Sequence, residues 1–163
     1  MRSLFILTFL ANVALAAMSP FILPAKVAIH FGRGGYPDSW ASSEFHALIF
    51  IALHVPLFLL FLYMPPLVLK LPSKIVSLPN KDYWLAENNR HLVKGMLSGL
   101  MFEYGFALFA FLLGVSILTI QANLSDPVRL NEGIFFVILT VFMLYTIYWC
   151  VKIFSAFKVP SQH

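Results

Sequence analysis

With 60% hydrophobic and only 11% charged residues in 163, this chain has too little polar surface to clothe a soluble globular domain. Its net charge of +4 comes from Lys and Arg scattered over loops without interleaved stacking groups, which excludes a nucleic-acid interface. The single cysteine, Cys150, excludes an internal disulfide, a cysteine metal site and a CxxC redox pair.

A helix needs about 20 apolar residues to span a bilayer. Four windows qualify, at 3–23, 45–68, 95–121 and 133–154, and the loops between them are too short for a further domain. The expected fold is therefore all-α: one integral membrane domain over 1–163, built as a four-helix transmembrane bundle. The first window mimics a secretory leader, with Arg2 at its start and the small residues Ala14, Ala16 and Ala17. Its apolar run continues through Phe21-Ile22-Leu23, longer than a leader core, so a retained helix is expected. Pro20 and Pro24 mark its exit or a kink.

The loop over 23–40 is chemically specific. Lys26 and His30 are four apart, Gly32, Gly34 and Gly35 permit left-handed backbone, and Pro37, Asp38 and Trp40 add rigidity, charge and an amphipathic ring. Two readings stand side by side. The loop captures a polar or peptide ligand at the membrane surface, with 32–36 as its exposed rim. Alternatively it folds on itself: Asp38 caps a turn, Trp40 anchors at the headgroups, and His30 bonds a backbone carbonyl.

Ser42 or Ser43 suits the N-cap of the second helix. Pro56 should bend that helix, and Pro65-Pro66 should end or kink it. His46 and His54 lie eight apart near one face, and with His30 they could make a metal or haem site in the outer half. No ligand cluster faces them, so they are read as packed, hydrogen-bonded histidines, with no metal and no cofactor. The inner loop, 71–94, holds Pro79, Asn80, Tyr83 and Trp84, and Tyr83-Trp84 reads as an interfacial belt. Residues 87–94 suit a short helix running into the third span.

On the third span Gly95, Gly99, Glu103, Ala107, Ala110 and Gly114 share a face. Gly95/Gly99 is a small-xxx-small contact for close helix approach. Glu103, about eight residues into that window, is expected to be buried and neutral, with Asn12, Tyr63, Tyr145 or Thr146 as partners. It is either a proton or ion site or a protonated acid tying helices together. Asp126-Pro127 marks a turn in the loop 122–132, and Cys150 beside Trp149 reads as a packed thiol.

If all four windows span, eight of the eleven Lys and Arg fall on the side of both termini: Arg2, Lys70, Lys74, Lys81, Arg90, Lys94, Lys152 and Lys158. The positive-inside rule then puts both termini in the cytoplasm and the His30 loop outside.

Pro24, His30, Phe31, Gly35, Pro37, Asp38 and Trp40, together with the segment 79–84, resemble a domain of unknown function in SdpI-like bacterial membrane proteins. These are immunity factors against a secreted killing peptide. The resemblance covers about a quarter of the chain by motif, plus the first three spans. It implies a multi-pass protein of the bacterial cytoplasmic (inner) membrane, surrounded by membrane lipid, whose outer loop engages a peptide ligand, another ligand or a partner membrane protein in immunity or signalling. The residues alone leave two further classes open: a small accessory subunit of a membrane complex, and a proton-coupled carrier centred on Glu103. No GxSxG, HExxH or P-loop pattern is present, so no enzyme is expected.

Overall fold

Each apolar run folds as a helix, because a backbone in hydrocarbon must satisfy its own N–H and C=O groups. The computed structural model describes residues 1–160. Its long helices are α1 (Arg2–Ile22), α2 (Ser43–Val68), α4 (Arg90–Asn123) and α5 (Glu132–Ala156), and a short turn, α3 (Lys81–Trp84), precedes α4. All four long helices are long and apolar enough to cross a membrane. One element is not helical. The loop after α1 is a two-stranded antiparallel hairpin, β1 (Lys26–Phe31) and β2 (Pro37–Ser42).

The helix ends follow local chemistry. α1 passes through Pro20 and stops when Leu23, the residue before Pro24, turns extended. Ser42 caps α2 by accepting the Phe45 N–H at 3.2 Å, and Asn131 caps α5 by accepting that of Ile134 at 3.1 Å. Pro65-Pro66 does not stop α2, which continues to Val68. The helix expected near 87–94 is simply the start of α4, which begins at Arg90 and runs unbroken.

α4 is the hub, with α1 and α2 packed on one side and α5 on the other. At its centre Phe5 is fully buried, stacked on Phe58 at 5.0 Å and Phe102 at 5.5 Å. Gly105 makes room for it, since a Cβ there would sit 2.7 Å from the Phe5 ring. In lipid this close packing, rather than release from water, holds helices together. Gly95 and Gly99 do not serve that purpose, because a Cβ at either would meet nothing within 4 Å. The glycine that admits a neighbour lies one face round. α5 is less enclosed than a bundle helix: Trp149 is its one buried residue, and its indole N–H donates to the Leu100 carbonyl at 3.1 Å. Cys150, next to it, is exposed rather than packed.

A second core lies at the end of the molecule away from the hairpin, made of Trp84, Val93, Leu97, Leu100, Trp149 and Phe157. The segment 79–84 builds it. Asn80 takes a left-handed conformation (φ 52°) that suits Asn. Asn80 Nδ2 and Trp84 Nε1 then both donate to the Phe157 carbonyl, at 2.8 and 2.9 Å, closing over the end of α5. Trp84 is thus an interior anchor and not part of an interfacial belt, whereas Tyr83 is exposed.

Depth follows from helical rise. About 20 residues cover the ~30 Å of a hydrocarbon slab. Counted from the hairpin end, that distance reaches Arg2 on α1, Tyr63 on α2, Glu103 on α4 and Lys152 on α5. A slab that begins at the hairpin end of the helices would have its far boundary near these residues.

Candidate functional site

The hairpin is held rigidly to the helices at two points. At its base Asn123, the last residue of α4, brackets Ala28: its Oδ1 accepts the Ala28 N–H at 2.6 Å and its Nδ2 donates to the Ala28 carbonyl at 3.0 Å. The side chain thereby acts as a short piece of third strand, and Val27 and Ala28 are fully buried against it. At its tip the turn at Arg33–Gly35 docks on the α4–α5 connection. Leu130 N–H donates to the Gly35 carbonyl at 2.8 Å, and Arg129 Nε donates to that of Gly34 at 2.8 Å while stacking over Tyr36. Gly35 is required there: its φ is +73°, and a Cβ would collide with the Leu130 carbonyl.

The strand period is regular on β2, where Asp38 and Trp40 are exposed and Ser39 and Ala41 half-buried; on β1 irregular pairing between Ala28 and His30 lets Val27 and Ala28 both be buried. Lys26 and His30 on β1, with Asp38 and Trp40 on β2, are all exposed. They form two interlocked pairs. His30 Nδ1 lies 2.6 Å from Asp38 Oδ1, and Lys26 Nζ sits over the Trp40 ring at 5.6 Å. His30 therefore bonds a carboxylate instead of a backbone carbonyl, and Asp38 holds His30 rather than capping a turn. The His30 and Asp38 side chains are 70% and 52% exposed, so the pair adds at most about 1 kcal/mol to stability. Of the remaining loop residues, Gly35 is buried in the tip contact, and Phe31 and Pro37 are half-buried supports. The rim at 32–36 is exposed only at Arg33 and Tyr36.

Beside this face a crevice of about 550 Å³ descends between the hairpin, α2, α4 and α5. Its rim carries His30, Arg33 and Glu132; its walls are Phe50, Val115, Phe135 and Phe136. Phe50 and Val115 lie about seven or eight residues inside their helices, so the crevice reaches ~10 Å below the hairpin. A charged rim over an aromatic and aliphatic interior suits an amphipathic ligand.

Glu103 has a different setting from the one expected. It is paired with Lys152, whose Nζ lies 2.6 Å from both carboxylate oxygens, and it accepts the Tyr145 hydroxyl at 3.2 Å. Of the four expected partners only Tyr145 is present: Thr146 bonds Tyr104, Asn12 bonds His54, and Tyr63 is exposed. The carboxylate is thus held as one half of an ion pair, with side chains 19% and 37% exposed, and not as an isolated neutral acid. His54 is packed and hydrogen-bonded. His46 is packed against Phe50, but neither of its ring nitrogens has a partner among the described residues. No group of three His, Cys, Asp or Glu that would hold a metal occurs among the described residues.

Asn123, Arg129, Glu132, Phe50, Phe135 and Phe136 were not singled out from sequence as site residues. Asn123 carried a signal, a lone amide at the end of a span, which is equally the mark of a helix terminus. Comparisons of the chain with protein-family models, with curated proteins and with solved structures gave no match.

Proposed function

We propose that this chain is a non-enzymatic, SdpI-like protein of the bacterial cytoplasmic membrane that captures a membrane-active peptide. Both termini are cytoplasmic and the hairpin faces outward, as the Lys and Arg distribution favours. One observation carries the reading: a rigid polar hairpin face adjoins an apolar crevice that descends between helices long and apolar enough to cross a membrane. A peptide that inserts in bilayers has a matching shape, an apolar segment with a polar end. The exposed pairs Lys26–Trp40 and His30–Asp38 would meet the polar end, and Phe50, Phe135 and Phe136 the apolar segment.

A second reading, an accessory subunit, draws on the open flank of α5, where only Trp149 is buried. The carrier reading has the least support, since Glu103 is neutralised by Lys152 at a boundary level.

The test is survival of cells exposed to a secreted membrane-active peptide. Cells making the chain should survive a dose that kills cells without it. His30→Ala and Asp38→Ala should remove protection while the protein still accumulates in the membrane with unchanged thermal stability, because the pair is exposed. If both variants lose accumulation or stability, the hairpin is a structural cap and the binding reading fails.

A further inference from the structure

Half-way through the helical core lies a polar knot that the hairpin does not use. His54 is about 11 residues from the hairpin end of α2, and Asn12 about 10 from that of α1, so both sit ~15 Å into a slab of ~30 Å. His54 is 1% exposed and Asn12 2%. His54 Nδ1 lies 2.6 Å from the Phe50 carbonyl, and Nε2 lies 3.0 Å from Asn12 Oδ1.

The orientation of Asn12 is fixed by its other end. Its Nδ2 donates to the Thr8 carbonyl at 2.8 Å and to the Phe109 carbonyl at 2.9 Å. Turning the amide over would set its oxygen against two carbonyl oxygens. Both groups facing the imidazole nitrogens are therefore acceptors. A neutral imidazole offers one donor and one lone pair; only the imidazolium offers two donors. The rings of Phe50 and Phe109 lie nearly parallel to it, with centroids at 5.9 and 5.8 Å, and present π faces to a cation.

We propose that His54 is an intramembrane proton-binding site. The proton on Nε2 is held by Asn12 Oδ1 and that on Nδ1 by the Phe50 carbonyl. Among the described residues no other titratable or charged group faces the ring: α1 contributes Asn12, α4 contributes Phe109, and the next histidine on α2, His46, lies two turns away beyond Phe50. The bond from His54 to Asn12 is the one hydrogen bond joining α1 to α2 among the described residues, and Asn12 carries it on to α4. Loss of the Nε2 proton leaves a lone pair facing the Asn12 oxygen and breaks that link. Proton binding thus sets how tightly α1, α2 and α4 are tied at mid-membrane. This holds whatever the hairpin binds.

The test is nitrogen NMR of the full chain labelled at its five histidines, in phosphatidylethanolamine–phosphatidylglycerol bilayers, between about pH 5 and pH 8. His54→Gln identifies the signals. Towards pH 5 both His54 nitrogens should report an attached proton, with the neutral form growing as pH rises. Asn12→Leu should cut the charged-to-neutral ratio at that pH about tenfold, and Asn12→Asp should raise it at least as much. A single neutral tautomer across the whole range in the unaltered chain overturns the proposal. So does an unchanged ratio in Asn12→Asp, the variant that decides the matter should Asn12→Leu fail to fold.

Discussion

Replacing Asn123 by alanine should free the hairpin while leaving the helices intact. The side chain makes two bonds to the backbone of Ala28, which is fully buried, and a third to the Thr119 carbonyl, which already has a helical partner. The loss therefore falls on the Ala28 N–H and C=O. A buried group left without a partner costs about 1–3 kcal/mol. Water entering the space of the truncated side chain offsets part of that, for a net ~2–4 kcal/mol. The tip contacts at Gly34 and Gly35 remain, so the expected event is opening of the base. At 1.4 kcal/mol per factor of ten, opening should become about 30- to 700-fold more frequent. Hydrogen–deuterium exchange in lipid nanodiscs reads this directly: the Ala28 amide should exchange faster by that factor, with the amides around Phe5 and Phe109 unchanged. Asn123→Asp keeps the acceptor for the Ala28 N–H and loses the donor, so it should fall between. Acceleration of less than about threefold in Asn123→Ala would refute the view that this residue holds the hairpin.

Three further outcomes are expected. Gly35→Ala should cost more than about 2 kcal/mol by thermal unfolding, because its φ is positive and the Leu130 carbonyl occupies the Cβ position, whereas Gly95→Ala and Gly99→Ala, in open space on a helix, should gain up to about 1 kcal/mol each. Trp84→Phe should cost about 1 kcal/mol through the lost bond to the Phe157 carbonyl, and Trp84→Ala about 3–5 kcal/mol through the emptied core, both measured by denaturant unfolding in detergent. In a Cys150→Ser background, Ser39→Cys should react with an impermeant thiol reagent on intact cells and Ser73→Cys should not; the reverse pattern would invert the topology.

The spans were legible because hydropathy over 20 residues leaves the backbone no choice but helix. The Ser42 cap and the exit before Pro24 were legible because each rests on neighbouring residues. The hairpin was hidden by its glycines. The turn Gly32-Arg33-Gly34-Gly35 drew attention to flexibility, although Val27, Ile29 and the alternation Asp38, Ser39, Trp40, Ala41 around it have strand character. What sequence spacing does not carry is pairing between distant helices. Lys152 read as a topology charge because nothing local ties it to Glu103, 49 residues away. Asn12 was matched to Glu103 by a depth count that started the third span at Gly95. Counted instead from the hairpin end of α4 at Asn123, Glu103 lies 20 residues down, the full thickness of a ~30 Å slab, while Asn12 meets His54 half-way. Gly95 and Gly99 showed where a helix could approach, but Gly105 is where Phe5 does.

Capture of an apolar peptide segment in the crevice, with its polar end on the hairpin face, is tested most directly by photocrosslinking. A photoreactive phenylalanine analogue at Phe136 lies on the crevice wall; the same analogue at Leu144 lies on exposed α5, away from it. When membranes carrying each variant are irradiated with a secreted membrane-active peptide against which cells making the chain prove to be protected, position 136 should form a covalent adduct and position 144 should not. Asp38→Ala should reduce the adduct at 136 by about tenfold, the equivalent of one charge-assisted contact. Equal adducts at both positions, or none at 136, would contradict capture at this site.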